Sequence, residues 1–213
     1  MRVFVVLILM AISSTANSQS VYWANKVIGF STEYLFAGQT TEYRAQQVLG
    51  KPNKLPQYGL SPCAWQPSVP DNLGEEWIKV SFDTLMPIRQ VIVAENYGQG
   101  CLTKIFAYDS KGSEVKIFET DAPATSSSGK LLTIILEKPT EFAVSSLKLV
   151  FNTAKVKGWN QIDAIGISQA DSPIEVSINL SKDISLEVQK ENLGENINSK
   201  WQELAPVVAP DGK

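Results

Sequence analysis

The sequence predicts an all-β sandwich with one short helix between Val21 and Ser168, and three features carry that prediction. Short runs rich in Val, Ile, Phe and Tyr recur about every ten residues between clusters of Gly, Pro, Asn, Asp and Ser, the spacing of a two-sheet domain. The run Trp77-Ile-Lys-Val-Ser-Phe82 alternates apolar and polar side chains, as a strand with one covered face does when successive side chains point to opposite sides. Ile88 to Ala94 is predominantly apolar, which suits a strand covered on both faces.

The elements follow in order. Arg2, the apolar run Val3 to Ile12 and the small or polar residues Ser13 to Ser18 read as a secretory leader over residues 1–18, with Ala16-Asn17-Ser18 resembling a cleavage site. The run is too short for a membrane span, which needs about 20 apolar residues, and a buried strand would not need the small residues behind it. Trp23 to Glu33 is a first strand. Thr41 to Leu49 is helix-compatible, with Tyr43, Gln47 and Val48 near one face and Gly50 placed as its C-cap. Lys51 to Gly74 is rich in Pro, Gly, Asn and Ser and reads as a loop, of a length often tied to function.

Leu102 to Tyr108 and Val115 to Phe118 flank Asp109-Ser-Lys-Gly112, a hairpin signal with Gly where positive φ is wanted. Leu131 to Leu136, Val144 to Phe151 and Ile162 to Ile167 bring the total to about eight strands, a sandwich or jelly roll spanning 19–170. Residues 171–200 alternate weakly and become rich in Asn and Glu, as a linker does. Ala205 to Pro210 then reads as an apolar strand entering a Pro210-Asp-Gly212 turn. Such a turn brings back a second strand, so the sequence is expected to be the N-terminal piece of a longer protein.

Composition narrows the chemistry. With no histidine among 213 residues, His-based triads, His-ligated metals and imidazole switches are excluded. Nineteen Lys and Arg against 22 Asp and Glu, with the lysines scattered along the chain, offer no phosphate-tracking stripe, so nucleic acid is not an expected partner. The mature part contains no transmembrane segment by hydropathy. In an exported chain the two cysteines, Cys63 and Cys101, read as a disulfide; closing a loop of roughly 38 residues would stabilise the fold by about 4 kcal/mol. The other reading is two separate buried thiols, which geometry alone decides.

Three motifs carry a family resemblance: Ala45-Gln-Gln-Val-Leu-Gly50-Lys-Pro-Asn53, Glu76-Trp-Ile-Lys-Val-Ser-Phe82 and Gln161-Ile-Asp-Ala-Ile-Gly-Ile167. Together they resemble the discoidin-like, galactose-binding-like jelly rolls. Glu203 to Lys213 is similar to the first strand of TolB-like, WD-type propeller repeats. That order resembles the OmpA-like cell-envelope proteins of Bacteroidetes, which implies a periplasmic, outer-membrane-associated protein. The same resemblance implies that peptidoglycan is a partner only through a domain outside this sequence.

The resemblance also implies ligand binding by loops at one end of the sandwich, here Pro52 to Gly74 and Asn96 to Cys101. A Cys63–Cys101 bond would tie the two loops into one platform. Tyr58, Trp65 and Tyr97 are candidates to stack on sugar rings or seat a peptide, and Asp71, Asn96 and Gln99 to hydrogen-bond hydroxyls. Buried Trp and Tyr also close the open ends of small sandwiches, and both readings stand for Trp65 and Tyr97. Trp23, Trp77 and Trp159 are expected in the core, and Arg44 as a solvated or ion-paired residue.

Glu75, Glu76, Asp83, Glu95 and Asp163 offer carboxylates, but no spacing singles out the facing pair that glycoside hydrolysis uses. Gly98-Gln-Gly100 lacks the strand-to-helix setting of a phosphate loop, and Ser126-Ser-Ser128 has no base partner. No cofactor is expected. Calcium is the one metal that suits an oxygen-rich loop of this kind, with Asp71 and Asn72 as weak candidates and no assignment. The expected function is non-catalytic binding of an envelope glycan, the alternative a scaffold docking to an outer-membrane assembly or secretion partner.

Overall fold

The computed structural model describes residues 20–35, 41–55, 57–123 and 131–174, all within one compact unit, Met1–Leu180. The leader, the Ser126-Ser-Ser128 tip, the linker from residue 175 onward and the propeller-like strand lie outside the described residues.

Among the described residues, nine strands form two antiparallel sheets. In chain order they are β1 (Tyr22–Trp23), β2 (Lys26–Phe30), β3 (Glu76–Met86), β4 (Gln90–Tyr97), β5 (Leu102–Tyr108), β6 (Glu114–Glu119), β7 (Leu132–Ile135), β8 (Val144–Phe151) and β9 (Gln161–Ser168). One sheet runs β1-β9-β4-β7 and the other β2-β3-β8-β5-β6. The fold is the all-β sandwich the residue pattern predicts. Asp109 turns the β5–β6 hairpin as expected: its Oδ1 accepts from the N–H groups of Lys111 and Ser113, with Gly112 at φ +86°.

Two predicted elements differ. The single first strand is split by Ala24 and Asn25, so that β1 pairs with β9 in one sheet and β2 with β3 in the other. Ala24 is buried and bonds across to both Ile165 and Gly50, which fixes the crossing point. The predicted helix shrinks to a 3-10 turn, Ala45–Val48. Tyr43 sits at φ +61°, and its N–H and carbonyl bond to Pro62 and Gln66. The Glu33 carboxylate then takes the Ala45 N–H and the Arg44 guanidinium. Tertiary partners thus capture the backbone groups a longer helix would need.

The core lies between the sheets. Ile78, Val80, Leu147, Leu149 and Ile105 face Val91, Val93, Ile165 and Ile167 in one cluster. Both β4 and β9 are buried on nearly every residue, because Leu55 of the long loop, with Trp23 and Leu131, packs over Ala94 and Ala164 on the outer face. Small residues there let the loop lie close to the sheet. A cavity of about 770 Å³, lined by Val115, Phe118, Ile135, Leu136, Pro139 and Phe142, opens at the seam between β6 and β7. No helix among the described residues is long and apolar enough to cross a membrane.

Of the two readings left open for Trp65, the structure shows the packed one, while the three tryptophans expected in the core are less buried. Trp65 is 1 % exposed, packs on Phe151 and donates its indole N–H to the Thr32 carbonyl at 2.9 Å. Trp23, Trp77 and Trp159 are only half-buried.

Candidate functional site

The ends of β4 and β8 and the starts of β3, β5 and β9 lie together, so the loops 51–74, 96–101 and 152–160 gather at one end of the sandwich. A buried polar network holds them. Gln161, at the start of β9, accepts through Oε1 from the Ser61 N–H at 2.8 Å and Asn96 Nδ2 at 2.9 Å, and donates through Nε2 to Gln66 at 2.7 Å. Asn96 Nδ2 also donates to the Gly59 carbonyl. Asp163 accepts from the N–H groups of Asn53, Lys54 and Leu55. Burial pushes its carboxyl above the ordinary range, while those N–H groups pull it down. Asn96, which reads as a binding group in sequence, is therefore spent on fixing loop backbone.

Above this floor sits an aromatic rim. Tyr58 is 46 % exposed, and its ring lies 5.6 Å from that of half-buried Tyr97. The Gly98 N–H donates to the Tyr58 hydroxyl at 3.2 Å, joining the two loops. A second group forms alongside: Tyr34 meets Tyr43 at 5.4 Å and Trp159 at 5.2 Å, both edge to face. The adjoining Asn160 bonds the Gly98 carbonyl. Tyr34, Tyr43 and Trp159 are half-buried and were not singled out from sequence as ligand-facing. They lie in three separate segments, and no linear signal joins them.

The predicted site residues divide. Tyr58 and Tyr97 come together at the surface. Trp65 is in the core and offers no ring face, a correction that follows from its indole N–H finding a buried carbonyl. Asn96 is likewise fully buried and belongs to the floor. Asp71 is exposed at φ +51°, and its carboxylate is engaged by the Gly158 N–H at 2.7 Å. Asn72 bonds Glu76 and Thr153, so this pair staples loops to each other. Gln99 is half-buried and donates to the Glu95 carbonyl at 3.0 Å.

The expected disulfide is not formed: both cysteines are free thiols, Cys63 exposed and Cys101 buried. Cys101 belongs to the core cluster, and hydrogen bonds tie the loops together in its place. Burial, and next to it the nearby Glu95 carboxylate, push the Cys101 thiol well above its usual range. Glu95 is itself 1 % exposed; its Oε1 accepts only a 3.4 Å bond from Gly100, and its Oε2 has no partner among the described residues. Burial raises its carboxyl to about 7.

The remaining carboxylates considered for chemistry are engaged one by one. Glu76 is taken by Ser31, Thr32 and Asn72, Glu75 by Lys104 and Asp83 by Asn25. Arg44 pairs with Glu33 at 2.7 Å. No group of three His, Cys, Asp or Glu side chains suited to a metal occurs among the described residues.

Comparison with known proteins bears on the fold. No protein-family model matches the sequence, and no curated protein matches it. Among solved structures, the chain is similar to reduced XRCC1 bound to the DNA polymerase β catalytic domain, at 12 % identity and TM-score 0.52, over 72 % of this chain and 100 % of that one. It is similar at 15 % identity and TM-score 0.50 to the C-terminal domain of a chitobiase from Bacteroides fragilis, over 71 % of this chain and 95 % of that one. A family 32 carbohydrate-binding module of C. perfringens NanJ, solved with galactose, matches at 10 % identity and TM-score 0.49, over 70 % and 99 %. At these identities the likeness is one of fold, and the two matches at TM-score 0.50 and above agree with the two-sheet all-β architecture.

Proposed function

We propose that the chain is a non-catalytic carbohydrate-binding module whose contact surface is the aromatic rim at the loop end. One observation carries the reading: Tyr58, on a loop whose backbone is fixed from below by Gln161 and Asn96, pairs at the surface with Tyr97 at the end of β4. Aromatic faces on a pre-ordered surface bind sugar rings with little loss of loop freedom. A chitobiase C-terminal domain of similar fold is in keeping with it. Glu75, Glu76 and Asp83 are each engaged by a separate partner, and Glu95 is buried, which favours binding over turnover. The leader and the propeller-like tail support placing the module in an exported, outer-membrane-associated protein of the OmpA-like kind. Cell fractionation, with N-terminal sequencing expected to begin after Ser18, checks the export.

A glycan screen with the mature chain and the Tyr58→Ala/Tyr97→Ala variant tests the proposal. Binding to a neutral glycan that weakens at least about tenfold in the variant, with unchanged thermal unfolding, is the expected result. XRCC1, of similar fold, was solved bound to a polymerase domain, so the competing reading is a protein-docking module. Absence of glycan binding together with a defined envelope protein captured through the same tyrosines would establish that reading instead.

A further inference from the structure

The outer face of the five-stranded sheet carries a feature separate from the loop end. Between the core residues Ile78, Val80, Leu147, Leu149, Ile105 and Ala107, the alternate residues point outward. Their register arranges them in rows across the strands. Lys79 stands opposite Lys148, Lys148 opposite Phe106, and Phe106 opposite Lys116. The row is thus three lysines and a phenylalanine, with no acid in it, on a chain whose net charge is −3. Like charges directly opposite across strands destabilise a sheet, so this arrangement needs compensation.

Part of the compensation is visible. Lys79 Nζ lies 3.2 Å from the centroid of the Tyr108 ring, and Lys148 Nζ lies 4.8 Å from that of Trp77. The rings hold the ammonium groups on the face through cation–π attraction. No carboxylate pairs with Lys79 or Lys148 among the described residues, whereas Lys116 pairs with Glu119 and Lys104 with Glu75 at the margin. Among the described residues, the acid acting on Lys79 is Glu114, which is bonded to the Tyr108 hydroxyl. Burial on the sheet, and the charge of Lys148, hold Lys79 below the ordinary lysine range against the pull of Glu114.

We propose that this face is a second binding surface, for an anionic glycan chain bearing carboxylate or sulfate groups, lying across the strands along Lys79, Lys148 and Lys116. Three inter-strand steps of about 4.8 Å give a row of about 14 Å, long enough to meet several charges of an extended polymer. Ser81, half-buried in the next row opposite the buried Ser146, adds a hydroxyl group beside it. Trp77 and Tyr108 already carry lysine ammonium groups over their rings, which favours recognition by charge over stacking of bases.

Affinity electrophoresis of the mature chain tests the proposal, in gels containing polygalacturonate, dextran sulfate, neutral dextran or poly-glutamate. Retardation by polygalacturonate or dextran sulfate but not by neutral dextran is expected, and the responsive gel tells carboxylate from sulfate. The retardation should disappear in molar salt, where the screening length is about 3 Å. It should fall at least about tenfold in Lys79→Gln/Lys116→Gln/Lys148→Gln and persist in Tyr58→Ala/Tyr97→Ala, which separates this surface from the loop site. Lysine labelling of the wild type reads the same contact without substitution: Lys79, Lys116 and Lys148 should be protected by the bound polymer. Equal retardation of the triple variant, protection confined to other lysines, or no response to either anionic glycan overturns the proposal. A response to poly-glutamate alone overturns it in favour of an acidic peptide.

Discussion

At the scale of single residues, burial decides what each side chain can do. Trp65 and Tyr58 both come from the long loop, yet only one reaches solvent. Trp65→Ala should therefore cost about 4 kcal/mol of stability, while Tyr58→Ala should leave the urea midpoint nearly unchanged and weaken glycan binding. Comparing the two midpoints checks this. Glu95 gives a pH dependence of definite sign. Its folded pKa of about 7 lies above the ordinary 4.5, so the folded state holds the extra proton between those values. Stability is then greatest below this window and falls as pH rises through it, by about 3 kcal/mol in the limit. Asp163, also raised, acts in the same direction. Urea unfolding at pH 5 and pH 8 should show the fall in the wild type and a clearly smaller one in Glu95→Gln; identical slopes would refute the assignment. The cysteines make a third case. One thiol, Cys63, should react with a thiol reagent in the native protein and both should react after denaturation, because Cys101 is buried and its thiolate disfavoured.

At the scale of elements, the loops owe their positions to the strand ends beneath them. Gly98 stands at φ +63°, and a Cβ there would overlap the Trp159 carbonyl and the Asn160 side chain. Gly98→Ala should cost about 2–3 kcal/mol from the left-handed conformation and the overlap, and it should weaken glycan binding by displacing Tyr97; thermal unfolding and the glycan screen read the two effects. The strands themselves were legible in sequence. The predicted Leu102 to Tyr108 and Val144 to Phe151 coincide with β5 and β8, because alternation reports one covered face directly. The helix was not legible as it formed. Spacing over Thr41 to Leu49 reports only a face, and the Glu33, Pro62 and Gln66 partners that stop it come from elsewhere in the chain. The split first strand was missed for a similar reason, since nothing local marks Ala24 as the place where the chain changes sheets.

At the scale of the whole molecule, the two sheets are unequal in their protection. β4 and β9 pair on both sides and are covered by core on one face and by the long loop on the other, whereas β6 and β7 are edge strands. Amide exchange should be slowest in β4, β8 and β9 and fastest in β1, β6 and β7. The two proposed surfaces also differ in character. The loop end is aromatic and its contacts should tolerate salt, while the lysine row should respond steeply to it.

The sequence by itself determined the all-β class, the strand positions and the hairpin turn, since alternation and turn chemistry are local. It also named Tyr58 and Tyr97, whose rings the fold brings together. Only the tertiary structure decided which aromatic rings reach solvent, that Cys63 is an exposed and Cys101 a buried free thiol, and that Gln161 and Asn96 serve as the floor. It alone brought Lys79, Lys116 and Lys148 into one row from three distant strands. The physical reason is common to all of these: exposure, pairing and cross-strand neighbours are set by contacts between segments far apart in the chain, and strand register fixes them only once the sheets have formed.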